Sequence, residues 1–258
     1  MVKGIRRFRE HFRAFEAAYV VIGGVACDEW MGAQQLRFRA TKDVDIVLVV
    51  EALTDAFVQR FWEFIRLGGY QTRQKAEGKR EYYRFLKATQ PDYPAMIELF
   101  SKPLAAVQLA TNQEITPIPA GEDMSSLSAM LLEEGYYSLI LEHRHSVDGL
   151  PLASVEALIP LKAKAWLELR KQKTAGYKID DDDINKHRTD VFRLALTLTG
   201  ERRVTLRDPV RSDLRDFLAA FSEDAVEWGA IRSSVQSTAG VSVSPKELLS
   251  AVTGFFGL

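Results

Sequence analysis

The sequence predicts an α/β (α+β) protein, in which a small mixed sheet flanked by helices is followed by a mainly helical C-terminal half. The first hundred residues alternate between helical spacing of apolar side chains and short aliphatic or aromatic runs that are typical of strands. Beyond about residue 150, helical spacing continues with little interruption. We therefore predict an α/β domain at residues 1–150 and a helical domain at residues 151–258.

The first predicted elements form a helix–strand–helix–strand series. Apolar residues at helical spacing predict a helix over residues 4–18, and "YVVIGG" reads as a short buried strand that ends in two glycines. A helix is predicted from Gly24 to about Met31. The strand predicted at residues 43–50 is buried, because five of its last six residues are aliphatic.

A helix and two strands complete the predicted first hundred residues. Thr54 is the predicted N-cap of a helix with a phenylalanine-rich stripe, and Gly68 ends it. The runs at residues 80–88 and 95–101 predict two strands, which the turn-like "TQPDYP" joins.

The middle of the chain and the helical half follow from weaker patterns. Between residues 103 and 153 we predict an edge strand in "EITPIPA", a helix in "MSSLSAMLLEEG" and a strand in "YYSLILEHRHSV". The stretch "KQKTAGYKIDDDDINK" combines Gly176 with runs of both charges, and this predicts a mobile surface loop. The predicted C-terminal helices cover residues 154–173, 184–199, 211–221, 223–236 and 244–256.

Composition limits the classes of partner. The chain has 34 Lys plus Arg and 35 Asp plus Glu, so any site for a polyanion must be a local patch. The single cysteine, Cys27, excludes an internal disulfide and argues against a cysteine-based zinc site. No apolar window is long enough for a membrane span, and the N-terminus lacks the apolar core of a signal peptide. A cytoplasmic protein without a membrane partner is therefore expected.

Two acidic residues stand at the entrance of the strand at 43–50. Asp43 and Asp45 are two residues apart, so they share a face, and their like charges are unfavourable without a cation. Mg²⁺ takes oxygen ligands from one or two carboxylates and from substrate phosphates, and a pair of ions can hold both the attacking and the leaving oxygen of a phosphoryl transfer. Glu98, alone among the apolar residues of "AMIELF", is the predicted third carboxylate. The alternative is that Asp43 caps a strand end and Glu98 pairs with an arginine.

Residues that precede the acids fit a phosphate-binding turn. Gly23 and Gly24 end a strand and begin a helix, where backbone N–H groups can approach a phosphate. Arg39 and Thr41 would then reach the phosphates or order the loop, although Arg39 would equally form a surface salt bridge.

The ordered segments "GGVA", "RATKDVDI" and "MIELF" resemble the nucleotidyltransferase superfamily that includes DNA polymerase beta. The form Gly-Gly-x-Ala followed by Arg-x-Thr-x-Asp-x-Asp is most similar to the AbiEii/AbiGii-type toxin nucleotidyltransferases. In that family the helical half carries a lysine and then an aspartate within a helix, and Lys162 and Asp190 match these positions. The resemblance covers roughly residues 19–50, 95–101 and 154–198.

The helical residues also have simpler interpretations. Lys162 would extend along apolar neighbours to water or bind a nucleotide phosphate as a point charge. Asp190 would pair structurally with Lys186 or Arg193, or orient a base or a basic partner at the cleft.

The resemblance implies a nucleotidyltransferase that uses an NTP and two Mg²⁺ ions. Asp43, Asp45 and Glu98 would hold the metal, and Gly23, Gly24, Arg39, Thr41 and Lys162 would bind the nucleotide. It further implies an RNA acceptor such as tRNA, or a protein hydroxyl, in a toxin–antitoxin or phage-defence setting with a possible antitoxin partner. Two alternatives are a small-molecule nucleotidyltransferase, for instance one that modifies an aminoglycoside, and an inert relative that binds nucleotide or a partner protein.

Overall fold

The computed structural model describes residues 2–74, 80–102, 115–118, 127–200 and 203–258. The chain forms two compact units. The first contains the residues up to Ala26 and Ala40–Ala153, and the second contains Cys27–Arg39 and Ser154–Leu258. Residues 27–39 therefore belong with the helical half, although the sequence assigns them to the α/β half.

The described part of the first unit is a mixed sheet with helices, which confirms the predicted fold class. Its elements are α1 (Ile5–Phe12), a 3₁₀ segment (Arg13–Ala18), β1 (Tyr19–Ile22), the start of α2 (Gly23–Ala33), β2 (Asp43–Leu48), a second 3₁₀ segment (Val50–Ala52), α3 (Asp55–Gly68), β3 (Gln71–Gln74), β4 (Arg80–Leu86), β5 (Met96–Ser101), β6 (Ile115–Ile118), β7 (Leu127–Leu131), α4 (Glu134–Glu142), β8 (Arg144–Val147) and β9 (Leu150–Ala153).

The nine described strands join in one sheet in the order β3-β4-β5-β2-β1-β9-β8, with β7 also paired to β5 and β6 to β7. Strand β2 runs antiparallel to β1 and parallel to β5. The sheet is larger than the sequence suggests, because β3, β7 and β9 are short strands that the sequence does not predict. Parallel pairing of β2 with β5 requires a long crossover, and α3 lies within this connection.

The core of the first unit is rich in aromatic rings. Helices α1 and α3 supply Phe8, Phe12 and Phe64, whose ring centroids lie 4.6–5.5 Å apart. All three side chains are fully buried. The predicted N-cap is confirmed, since the Thr54 hydroxyl accepts a hydrogen bond from the Phe57 N–H at 3.2 Å.

The second unit is helical in its described part. Its helices are the end of α2, α5 (Val155–Thr174), α6 (Asp181–Ala195), α7 (Val210–Ala219), α8 (Trp228–Ala239) and α9 (Pro245–Phe256). Aromatic side chains from α5 to α8 form its core, with Trp166, Phe192 and Phe217 as central members. None of the helices in the described ranges combines the length and the apolar character that a membrane span requires.

Three local predictions are wrong in the described residues. The predicted loop at residues 171–186 is mostly helical, because α5 continues to Thr174 and α6 begins at Asp181. Asp180 is the N-cap of α6, and acidic residues in a first helical turn interact favourably with the helix dipole. Residues 127–131 form strand β7 and not a helix. Most of the predicted strand at 136–147 is helix α4, with only its end in β8.

Candidate functional site

The turn between β1 and α2 lies directly against Asp45. Gly23 has φ +68, and a Cβ atom built on it would lie 1.9 Å from Asp45 Oδ2. A Cβ built on Gly24 would lie 2.5 Å from Thr41 Oγ1. The two glycines therefore do more than make a turn: they let the backbone approach the carboxylate of Asp45 and the hydroxyl of Thr41.

Asp43 and Asp45 lie on the same face of β2, as the two-residue spacing predicts. Both side chains are partly exposed, while Val44 and Ile46 between and after them are fully buried. The acids therefore lie on the accessible face of an otherwise buried strand. Asp45 is also the register partner of Ile22, the last residue before the glycine turn.

Glu98 is placed beside Asp45 by strand pairing. Strand β5 runs parallel to β2, and Glu98 is the direct register partner of Asp45. Partners in adjacent strands point to the same face, so the three predicted acids share one face of the sheet.

The carboxylate of Glu98 is engaged by an arginine. Arg84 on β4 is the register partner of Glu98 from the other side, and its Nε forms an ion pair with Glu98 Oε1. In the ranges that the structure describes, no three His, Cys, Asp or Glu side chains form a group that could hold a metal ion. The alternative interpretation of Glu98, an arginine pair, is observed, and the metal-binding role of the three carboxylates stays a prediction.

The second unit contains a buried ionic cluster around Asp190 of α6. Asp190 is fully buried, and its carboxylate contacts three basic side chains. Arg39 donates to both oxygens of Asp190, and its Nη2 lies 2.8 Å from Oδ2. Lys162 Nζ lies 3.0 Å from the same Oδ2. Arg193 Nη1 donates to Oδ1 at 2.9 Å.

Burial alone would raise the pKa of Asp190, but Lys162 and Arg39 outweigh it and lower this pKa to about 2. Burial likewise opposes the charged form of Lys162, yet Asp190 raises the pKa of this lysine above its usual range. Asp190 and Lys162 are therefore both charged at neutral pH, and each stabilises the other in a dry environment.

Several basic side chains meet at one carboxylate. Arg39, Lys162 and Arg193 all contact Asp190. Burial, together with the nearby Lys162, lowers the pKa of His187 to about 3, so this imidazole is neutral. Within the described residues, His187 Nδ1 is buried and has no hydrogen-bond partner.

Arg193 is the residue of this cluster that sequence reasoning named only as a structural partner. Its guanidinium donates to Asp190, to Ser234 Oγ and, from Nε, to Thr238 Oγ1 at 3.3 Å. Ser234 and Thr238 lie on α8, so Arg193 ties α6 to α8. The spacing of three residues from Asp190 was the only sequence signal for this contact.

Arg39 and Thr41, both predicted to reach the phosphates or to order the loop, fall in different units. Arg39 belongs to the second unit and pairs with Asp190, whereas Thr41 belongs to the first unit and lies against Gly24. Asp190 does not pair with Lys186, whose Nζ lies 2.7 Å from Asp183 Oδ1.

Comparison of the chain with protein-family models, with curated proteins and with solved structures found no match in any of the three.

Proposed function

We propose that the chain is a Mg²⁺-dependent nucleotidyltransferase that moves a nucleoside monophosphate from an NTP to an acceptor hydroxyl. One observation carries this proposal: the turn at Gly23 is closed against Asp45, and Asp45 is paired with Glu98 on the adjacent parallel strand. A strand–glycine–helix turn next to paired carboxylates suits phosphate and divalent-cation chemistry.

The carboxylate oxygens of the first unit match the ligands that Mg²⁺ needs in part. Asp43 and Asp45 present hard oxygen atoms from one accessible strand face, about 7 Å apart along the backbone. Glu98 would join them only after exchanging Arg84 for the ion. When bound, Mg²⁺ supplies charge neutralisation and Lewis-acid polarisation of the phosphoryl oxygens.

The remaining steps use residues of the chain. The N–H groups of the turn at Gly23 and Gly24 would approach the β- and γ-phosphates. Glu98 would accept the proton of the acceptor hydroxyl, whose oxygen attacks the α-phosphorus. A new P–O bond forms there, the bond to the bridging oxygen breaks, and pyrophosphate leaves.

For the second unit, Lys162 and Asp190 stay the predicted nucleotide-site residues. Support comes from their direct contact and from the two further basic side chains, Arg39 and Arg193, that contact Asp190. With only 5% of its surface exposed, Lys162 would act on a phosphate as a fixed charge and not as a mobile surface side chain.

The acceptor and the biological setting rest on the resemblance alone. An RNA acceptor such as tRNA, or a protein hydroxyl, and a role as the toxin of a toxin–antitoxin or phage-defence system are proposed on that ground. An aminoglycoside-like small molecule is the alternative acceptor.

A second candidate function, a catalytically inert relative that binds nucleotide or a protein, is favoured by the ion pair between Glu98 and Arg84. If this ion pair is permanent, Glu98 can neither bind a metal ion nor accept a proton from the acceptor hydroxyl.

The test is transfer of label from each α-³²P-labelled NTP, with Mg²⁺, to total RNA or to total protein. We expect transfer by the wild type, a loss of about a hundredfold in Asp45→Asn, and loss on chelation of Mg²⁺. Asp92→Asn is the matched control, because the Asp92 side chain is 77% exposed in the same unit. Equal transfer by wild type and Asp45→Asn contradicts the proposal, and tight NTP binding without any transfer supports the inert relative.

A further inference from the structure

A cleft of about 230 Å³ lies entirely within the second unit, between α5, α6 and the start of α8. It is separate from the contacts around Asp190. The lining residues that matter here are Trp166, Arg170 and Lys173 of α5, Asp181 and Arg188 of α6, and Glu227 at the N-cap of α8.

The charges along the cleft do not cancel. Three basic side chains face two acidic ones, and Lys173 Nζ already pairs with Asp181 Oδ1 at 2.6 Å. Glu227 is the second acidic residue of the lining, so Arg170 and Arg188 together carry one positive charge more than Glu227 balances. A ligand that carries a negative group would neutralise it.

Arg188 is the most unusual of these residues. Only 8% of its surface is exposed, and its Nε–H is buried without a hydrogen-bond partner among the described residues. A buried donor without an acceptor is costly, above all on a charged group. An oxyanion in the cleft would provide acceptor atoms for this guanidinium.

Arg170 forms the exposed side of the cleft. Its guanidinium carbon lies 4.5 Å from the centroid of the Trp166 ring, in cation–π geometry. Trp166 is itself fixed by Phe217 and Phe221, each at a centroid distance of 5.2 Å. The ring therefore holds one guanidinium in place at the mouth of the cleft, while Arg188 lies in its wall.

We propose that this cleft binds a phosphate group, either free phosphate or the phosphate of a small ester. Two guanidinium groups offer paired donors that match the oxygens of phosphate, and the fixed ring next to one of them reduces the entropy lost on binding. The cleft is large enough for a phosphate and part of the molecule that carries it. This inference does not depend on the proposed transferase activity.

The experiment is a titration of the full chain with sodium phosphate, followed through the tryptophan indole N–H signals in ¹H–¹⁵N spectra. The chain has four tryptophans, and loss of one signal in Trp166→Phe assigns the reporter. We expect a saturable shift of the Trp166 signal with phosphate and none with sodium chloride at equal ionic strength. Saturation by acetate at equal concentration overturns the choice of phosphate.

Variants test the arginines separately. We expect Arg170→Gln and Arg188→Gln each to weaken phosphate binding by about tenfold. Arg232→Gln, an exposed arginine of α8 outside the cleft, should leave it unchanged. Since Arg170 is exposed, its variant keeps the test valid if Arg188→Gln fails to fold. Unchanged affinity in Arg170→Gln, or a shift that never saturates, overturns the proposal.

Comparison of the affinities for inorganic phosphate and for AMP shows whether the cleft binds free phosphate or a phosphate ester. Equal affinities identify free phosphate, and tighter binding of AMP identifies a phosphate ester. Asp45→Asn should bind phosphate at this cleft like the wild type, so failure of the transferase proposal and failure of this one remain distinguishable.

Discussion

At the scale of single residues, the most constrained position of the first unit is Gly23. Its positive φ and its contact with the Asp45 carboxylate are two independent reasons why an L side chain does not fit. The same turn therefore determines both the backbone path after β1 and the surroundings of the proposed catalytic acid.

We predict that Gly23→Ala lowers the free energy of unfolding by about 1–3 kcal/mol and abolishes transfer, because the new Cβ displaces the Asp45 side chain. Urea unfolding and the labelled-NTP assay measure the two effects. Gly32→Ala is the matched control: a Cβ at Gly32 of α2 meets nothing within 4 Å. That control should be neutral or stabilising by up to about 1 kcal/mol. A Gly23→Ala protein with wild-type stability and activity contradicts the assignment.

The fold strongly changes the ionisation of His187. Its pKa falls from 6.5 to about 3 because burial and Lys162 oppose the imidazolium. Between these two pH values the unfolded chain binds more protons than the folded one. The stability contribution is therefore fully present above pH 6.5 and is lost as the pH falls towards 3.

We predict that the His187 imidazole signals in NMR spectra do not titrate between pH 8 and pH 4.5. The free energy of unfolding should fall by up to about 2 kcal/mol between pH 6.5 and pH 5 through this residue, and His187→Gln should remove that loss. His145→Gln, at an exposed histidine, is the control and should leave the loss in place. Titration of His187 near pH 6.5 would be the contrary result.

At the scale of elements, three adjacent strands decide whether the carboxylates can act together. Strand β5 pairs with β2 on one side and with β4 on the other, so Glu98 is flanked by Asp45 and Arg84 in one row. Strand register, and not any single residue, therefore determines whether Glu98 can bind a metal ion or pairs with Arg84.

We predict that Arg84→Gln strengthens Mg²⁺ binding about fivefold to tenfold, because it leaves the Glu98 carboxylate without its cationic partner. Calorimetric titration with MgCl₂ measures this without any need for activity. The control is Lys87→Gln, at an exposed residue immediately after β4. Weaker Mg²⁺ binding in Arg84→Gln than in the wild type would show that Glu98 does not take part in a metal site.

At the scale of the whole molecule, each unit has its own aromatic core. Phe61 of the first unit packs against Phe85 at a centroid distance of 5.3 Å, and Phe217 of the second packs against Phe221 at 5.1 Å. Both Phe61 and Phe217 are fully buried. Each unit therefore derives its stability from burial of its own rings.

We predict that Phe61→Leu and Phe217→Leu each cost about 1–3 kcal/mol in free energy of unfolding, and that their effects add within about 0.5 kcal/mol. Phe192→Leu with Phe217→Leu is the comparison: these rings lie 5.8 Å apart in one core, so their effects should not add. Urea denaturation of the single and double variants measures both pairs. Strong coupling between Phe61 and Phe217 would contradict two separate cores.

The sequence alone determined the features that depend on local spacing. Period-two alternation placed Asp43 and Asp45 on one strand face, glycines marked the turn after β1, and Thr54 marked the start of α3. These follow because backbone geometry and capping act over a few residues.

Only the tertiary structure decided which distant residues meet. Parallel pairing set Glu98 beside Asp45, Arg84 then engaged it, and Arg39 reached Asp190, which is 151 residues further along the chain. Residues 127–131 became a strand because β5 and β6 offered edges to pair with, although their local pattern predicts a helix. Local sequence carries no signal for such partners, since register and long-range ion pairs are set by the burial and hydrogen bonding of the complete fold.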